Sequence, residues 1–536
     1  MSTVAEVIGR RLYEAGCRHA FGIPGGEVLA VMDGLDEAGM NFTLVKHENS
    51  GGFMAEGVFH RTGAPGVLIA TLGPGVANAT NVVANAMQDR VPLLFITGCV
   101  DDEQAATYTH QVLDHAALMR PITKASLRMT PGAAEALVDK AIAIATDDPP
   151  GPVHIDVPIS VASQEVEARA GTRRTPPATT APAHLNELAQ ARRWLADAKR
   201  PILIAGVEAL HHHAEDEIRR LVGEFHIPLI TTYKAKGIVD ERHELVIGGA
   251  GLSPRADHVL LPIVRDADLI LLAGYDPIEM RAGWRNVWDD RQHRVIEFSA
   301  CPNTHYMHQA SHSFVGDIRH GLAALRDGVG GASEWTPEEI ARVKKELADI
   351  YRLEEPWGPA AIVDVARRML PPHTVASVDS GAHRILLSQT WMCYEPRSLL
   401  QSSGLCTMGC SLPLGIGAKL SDASRPVAVF TGDACLEMTL GELATARDAK
   451  TPVIVFVFAD ESLSLIEIKQ RANGQPNLGV DFTGTDFAGV SRALGGLGFD
   501  VSSREELAAA IEQSLDAEVF SVISCRLPRR AYDGRI

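Results

Sequence analysis

The sequence predicts an α/β protein made of three consecutive doubly wound parallel-sheet modules. Three observations lead to this class. Short apolar runs alternate with amphipathic helical stretches along nearly the whole chain, the pattern of sheets covered by helices on both faces. Two polar stretches, at about 164–186 and 328–359, interrupt that alternation. The chain has 536 residues, 46% apolar and 22% charged, enough for about three globular units that each bury a core. The breaks place the modules at 1–165, 187–327 and 358–530.

The first module opens with Val4, Ile8 and Leu12 at helical spacing, with Glu6, Arg10 and Arg11 between them. That is an amphipathic helix rather than a signal peptide. Strands are expected at Phe42–Val45, Gly66–Ala70 and Pro92–Thr97, with helices over Asn49–Arg61 and Ala77–Gln88. The stretch Ala170–Ala183 has three prolines and no apolar period, so it reads as a surface linker. The second module has expected strands at Pro201–Ala205, Pro228–Thr231 and Leu269–Ala273. Its triplet His211-His212-His213 reads as a polar helix start, because adjacent helical residues point in different directions and do not easily share one metal ion. Pro337–Leu347 reads as a charged connecting helix capped by Thr336. The third module has buried-strand patterns at Val427–Phe430, Val453–Phe458 and Val519–Ile523.

Composition narrows the function. A net charge of −17 without a Lys/Arg-dense stretch argues against a nucleic-acid partner. No apolar run reaches the roughly 18 residues of a membrane span. The eight scattered cysteines, with no Cys-x-x-Cys, read as reduced thiols of a cytoplasmic protein. No Gly-x-Gly-x-x-Gly opens a helix after a strand, and Gly495-Gly-Leu-Gly498 lacks that context, which argues against a nicotinamide or flavin oxidoreductase.

The third module carries the sharpest chemical signal. The strand Val427–Phe430 runs into Thr431-Gly432-Asp433-Ala434, and the next strand runs into Ala459-Asp460-Glu461-Ser462. Asp433 and Asp460, 27 positions apart, therefore fall at the C-terminal ends of two strands, where α/β sheets bind ligands. Nearby helix N-termini favour a phosphate, and two carboxylates beside a diphosphate invite a hard cation such as Mg²⁺. Read alone, Gly-Asp is also an ordinary turn pair, and Asp-Glu-Ser can cap a helix.

This spacing resembles the thiamine diphosphate motif of the acetolactate synthase and 2-oxo acid decarboxylase superfamily. The likeness extends along the chain through Phe21-Gly-Ile-Pro-Gly-Gly26, His47-Glu48 with Met54-Ala-Glu-Gly57, Thr71-Leu-Gly-Pro-Gly75, Arg120-Pro-Ile-Thr-Lys124, Gly274-Tyr-Asp-Pro277 and Gly404-Leu-Cys-Thr-Met-Gly409. It implies an N-terminal pyrimidine-binding domain, a middle domain and a C-terminal diphosphate-binding domain. It also implies thiamine diphosphate and Mg²⁺ as cofactors, the metal being held by Asp433, Asp460 and the main-chain carbonyl of Ser462. Glu48 would bond the pyrimidine N1′ and favour the imino tautomer. Met408 would brace the bent cofactor with its flexible thioether. The carbonyl of Cys406 would accept the 4′-amino proton, and Gly381, Ala382 and His383 would lie by the diphosphate. Pro24, Gly25, Gly432, Ala434, Cys435 and Leu463 complete the implied cofactor contacts. Some relatives hold FAD in the middle domain. No residue here requires it, and catabolic members do without it. Active sites shared between the subunits of a homodimer or homotetramer are implied as well.

The chain also departs from the family pattern. Ala434 replaces a glycine, Asp460 an asparagine and Cys406 a glycine. In His110-Gln111-Val112 only the glutamine of the family's Phe-Gln-Glu is kept, giving Gln111 a catalytic role. Lys469 stands where acetolactate synthases place a tryptophan, and Ile466 where pyruvate decarboxylases place a catalytic glutamate. His110 and Lys469 are thus the candidates to read a polar or anionic group on the substrate. The expected reaction is decarboxylating carboligation of a 2-oxo acid. A 2-oxo acid decarboxylase, a hydroxyketone or diketone C–C lyase, and a non-catalytic cofactor-binding relative are the alternatives.

Overall fold

A computed structural model describes residues 1–167, 180 and 185–536. Three six-stranded sheets follow one another along the chain, and every pairing within them is parallel. The first holds β1 (His19–Ile23), β2 (Asn41–Leu44), β3 (Gly66–Ala70), β4 (Leu93–Cys99), β5 (Ala125–Arg128) and β6 (Val153–Pro158), in spatial order β2-β1-β3-β4-β6-β5. The second holds β7 (Pro201–Ala205), β8 (Leu229–Thr232), β9 (Val246–Ala250), β10 (Leu269–Ala273), β11 (Arg294–Ser299) and β12 (His312–Val315), in the order β9-β8-β7-β10-β11-β12. The third holds β13 (Val375–Val378), β14 (Leu399–Gln401), β15 (Val427–Gly432), β16 (Ile454–Ala459), β17 (Leu497–Val501) and β18 (Ser521–Arg526). Its order, β14-β13-β15-β16-β18-β17, repeats that of the first sheet. The middle sheet instead has the order of a dinucleotide-binding fold.

Central strands such as β16 are buried on both faces, which explains their continuous apolar runs. The first and third modules of the chain meet through helix α1 (Glu48–Thr62) and helix α4 (Ser411–Ser421). A Cβ at Gly57 would lie 2.3 Å from the Leu414 carbonyl oxygen, and one at Gly417 would lie 2.0 Å from that of Met54. Only glycine lets these two backbones approach so closely.

The structure adjusts several expectations. The linker Ala170–Ala183 lies outside the described residues except for Thr180. The helix expected over Ala77–Gln88 is two pieces, Pro74–Asn78 and helix α2 (Thr80–Gln88). His211-His212-His213 is not a helix start: it ends helix α3 (Val207–His211), and the next helix begins at Glu215. The apolar residues before the triplet are the helical ones, and His213 turns the chain with φ of 50°. The helix from Pro337 is more than a connector. It has a capping box with Thr336, runs to Tyr351, and buries Ile340, Val343 and Leu347 in the core of the middle module. No helix among the described residues is long and apolar enough to cross a membrane. Cys99, Cys301, Cys393, Cys406, Cys410, Cys435 and Cys525 are free thiols.

Candidate active site

In the third module the chain passes from β13 to the edge strand β14 and then back to β15 on the other side. The order reverses there, and the crevice of a doubly wound sheet opens at the C-terminal ends of such strands. A cavity of about 260 Å³ occupies this place. Of the residues named from sequence, Gly381, Ala382, His383, Cys406, Met408, Gly432, Asp433, Ala434, Cys435, Asp460, Ser462 and Leu463 line it.

Register brings the two aspartates together: Gly432 pairs with Phe458, so Asp433 and Asp460 leave adjacent strands one residue apart in level. Asp433 Oδ2 accepts the main-chain N–H groups of Asp460 (3.1 Å) and Glu461 (2.7 Å), and Oδ1 accepts that of Ala434. Asp460 Oδ2 accepts the Ser464 hydroxyl. Both carboxylates are buried. Burial raises the Asp433 carboxyl above its usual range. Burial, with Asp433 alongside, pushes Asp460 up to about 7. Among the described residues no Lys or Arg pairs with either one. The Ser462 hydroxyl is engaged with Asp481 at 2.7 Å, which leaves its main-chain carbonyl as the oxygen it can present.

His383 stacks on Phe458 with ring centroids 5.4 Å apart, and burial lowers its pKa to about 3. Its Nε2 and the neighbouring Ser380 Oγ are buried without a partner. A buried polar atom without a protein partner on a cavity wall can bond a polar ligand.

The loop carrying Cys406 and Met408 is held at both ends. Asp379 accepts from the N–H groups of Gly409 and Ser411. At the other end, Asn81, Asn85 and Asp89 form a stripe along one face of α2 and its end. Asn81 accepts the Thr407 hydroxyl, Asn85 the Ser402 hydroxyl, and Asp89 the N–H groups of Ser403 and Gly404. Lys234 of the middle module lies 2.9 Å from Asp89, so all three modules converge on this loop. The side chain at 406 finds its room in a polar niche: Arg384 donates to Cys406 Sγ (3.1 Å), which donates to the Ser403 carbonyl. The backbone pays with a left-handed φ of 55°, which explains why glycine suits the position.

The first-module residues form a separate group. Glu48 is the first residue of α1, 4% exposed, with Oε2 accepting from Asn78 Nδ2 at 3.0 Å. Pro24 and Gly25 follow β1, and Gly25 is packed on Thr71. Gln111 is exposed, with φ of 59°, and its carbonyl lies so close to Gly73 that a Cβ there would come within 2.3 Å. None of these residues lines the third-module cavity of the same chain. His110 and Lys469 are exposed and also lie outside its lining, whereas Ile466, one helical turn before Lys469, is part of it. Sequence reading missed several lining residues, among them Ser380, Arg384 and Tyr532. Ser380 and Arg384 flank the Gly381–His383 segment and could have been found by extending it. Tyr532 carried no local signal.

In the middle module, groups that follow β7, β10 and β11 bond other protein groups. Glu208 accepts the Ala300 N–H, Arg90 pairs with Asp276 at 3.0 Å, and Tyr275 bonds His308.

Fold and site together define a three-module α/β enzyme with its ligand crevice at the strand ends of the third sheet. Residues 2–118 match the family model for the thiamine pyrophosphate enzyme N-terminal TPP binding domain, 188–325 the central domain, and 379–525 the C-terminal TPP binding domain. The chain belongs to the thiamine pyrophosphate enzymes and is acetolactate synthase-like. It is 29% identical to the acetolactate synthase of Bacillus subtilis over 96% of this chain and 91% of that one. It is 29% identical to the acetolactate synthase isozyme 1 large subunit of Escherichia coli, over 87% and 83%. With the mitochondrial acetolactate synthase catalytic subunit of Saccharomyces cerevisiae the identity is 28%, over 95% and 78%.

Proposed function

We propose that the protein is a cytoplasmic, Mg²⁺-dependent decarboxylating carboligase that takes a 2-oxo acid such as pyruvate and joins its acyl unit to a carbonyl acceptor. The observation that carries this reading is the pair of buried carboxylates, without a cationic partner among the described residues, beside the orphaned Ser380 Oγ and His383 Nε2. Oxygen donors in this arrangement suit a hard cation, and the orphaned groups suit diphosphate oxygens. Thiamine diphosphate, when bound, supplies the carbon nucleophile that attacks the keto group.

Asp433, Asp460 and the Ser462 carbonyl would hold the metal, with His383 and the Gly381–Ala382 backbone beside the diphosphate. Met408 and the Cys406 carbonyl would orient the rings, on a loop fixed by Asp89 and Asp379. Glu48, held by Asn78, would keep a proton poised at the pyrimidine N1′. Glu48 and the Asp433 cavity are separate within one chain, which supports a site completed by a second copy, in a homodimer or homotetramer. Lys469, exposed one turn beyond Ile466, would stand at the mouth and read an anionic acceptor, with Gln111 and His110 supplied from the facing first module.

The test is proton NMR of products formed from pyruvate with Mg²⁺ and thiamine diphosphate. The wild type is expected to make acetolactate and Glu48→Gln to make none. Product formation at the wild-type rate by Glu48→Gln would overturn the assignment.

A further inference from the structure

The last nine residues do not trail into solvent. Leu527 N–H donates to the Ala459 carbonyl, so the segment leaves the sheet beside the strand that delivers Asp460. Ion pairs then fasten it to the body of the third module and the segment leading into it. Arg529 reaches Asp481 at 3.2 Å and Glu461 at 3.4 Å, Arg471 holds Asp533 at 2.5 Å, and Arg535 takes Glu355 in a two-pronged pair. Arg535 and Glu355 are largely buried, so this last clamp is not a loose surface contact.

The clamps turn one side chain inward. Tyr532 is 2% exposed, and its ring packs in the core that contains Phe458 and Cys525. It also lines the cavity that holds Asp433, Asp460 and Ser462. No protein group among the described residues hydrogen-bonds its hydroxyl, which is not among the fully buried unpartnered atoms and meets the cavity that Tyr532 lines with Asp460 and Ser464. Buried tyrosines ordinarily find a partner for the O–H. A phenol is a donor at neutral pH, and Tyr532 shares the cavity wall with Asp433 and Asp460, the residues proposed above to hold the metal, so the partner that fits it is an anionic oxygen.

We propose that Tyr532 is a diphosphate-binding residue: its hydroxyl donates to a phosphate oxygen of the bound cofactor, and the clamped C-terminal segment serves to deliver it. This rests on the thiamine diphosphate reading above. The segment thereby becomes part of the cofactor site although it lies beyond the stretch, 379–525, that matches the C-terminal family domain.

Tyr532→Phe keeps the ring and its packing and removes only the donor. Calorimetric titration of thiamine diphosphate into the full-length protein with Mg²⁺ is expected to show affinity lower by about ten- to a hundredfold, the range for a hydrogen bond to a charged group. Binding of Mn²⁺ alone, read by electron paramagnetic resonance, is expected to be unchanged. Equal thiamine diphosphate affinity in the two proteins overturns the proposal. So does a parallel loss of Mn²⁺ affinity, which would put the hydroxyl on the metal's water instead. A wild type that binds no thiamine diphosphate at all would instead sink the functional reading itself.

Discussion

Replacing Asp460 by asparagine isolates the electrostatic cost of burying two carboxylates side by side. In the apo protein Asp460 is buried beside Asp433, and its carboxyl is pushed from 3.8 to about 7. That gap corresponds to about 4 kcal/mol between the two protonation states. The sign follows from proton counting. A carboxyl whose folded pKa is raised binds its proton more tightly in the native state, so its favourable contribution is complete below about pH 4 and is lost as pH rises through 7. About half of the loss, ~2 kcal/mol, falls between pH 5.5 and 8.5. Glu208 and Glu279, both raised to about 7 mainly by burial, and Glu56, raised to about 8, act in the same direction but are common to both proteins. They cancel on subtraction. Thermal unfolding of metal-free protein should therefore show the wild type losing about 4–8 °C more than Asp460→Asn between those pH values, if the third module melts as a unit. Saturating Mg²⁺ and thiamine diphosphate should close that gap, because the cation supplies the missing positive charge. Identical pH dependence of the two apo proteins would refute the argument that Asp460 holds its proton.

Two further outcomes follow from the geometry. Asp89→Ala leaves Lys234 without its ion-pair partner and frees the N–H groups of Ser403 and Gly404. It should cost ~3–5 kcal/mol in denaturant unfolding, with Asp89→Asn milder because it retains an acceptor for those N–H groups. Lys469→Ala should raise KM for an anionic acceptor about tenfold or more at low salt while leaving kcat with pyruvate alone within a factor of two. An unchanged acceptor profile across a panel of ketoacids and aldehydes would remove Lys469 from the site.

Much of this protein was legible in the sequence because its signals are local. Buried parallel strands must be continuously apolar, so Gly66–Ala70, Pro201–Ala205 and Leu269–Ala273 coincide with β3, β7 and β10 to the residue. Asp433 and Asp460 were found because a strand end followed by an acid is a pattern readable within a few residues. Other features were decided only by the tertiary structure, because their partners are far apart along the chain. Nothing near Asp89 announces that it anchors a loop 314 positions later, or that Lys234 covers it. His211-His212-His213 was misread as a helix start because helix ends depend on which neighbours are buried, and burial is set by packing against other elements. In the sequence Tyr532 is one aromatic residue among Arg529, Arg530, Asp533 and Arg535. Only the ion pairs to Glu355, Arg471 and Asp481, contributed by remote segments, turn it into the cavity. The sequence by itself determined nine of the eighteen strands of the three six-stranded sheets, the acids at two of their ends and the family, because those follow from neighbouring residues. The assembled site needed the fold, because hydrogen bonds and charges act through space.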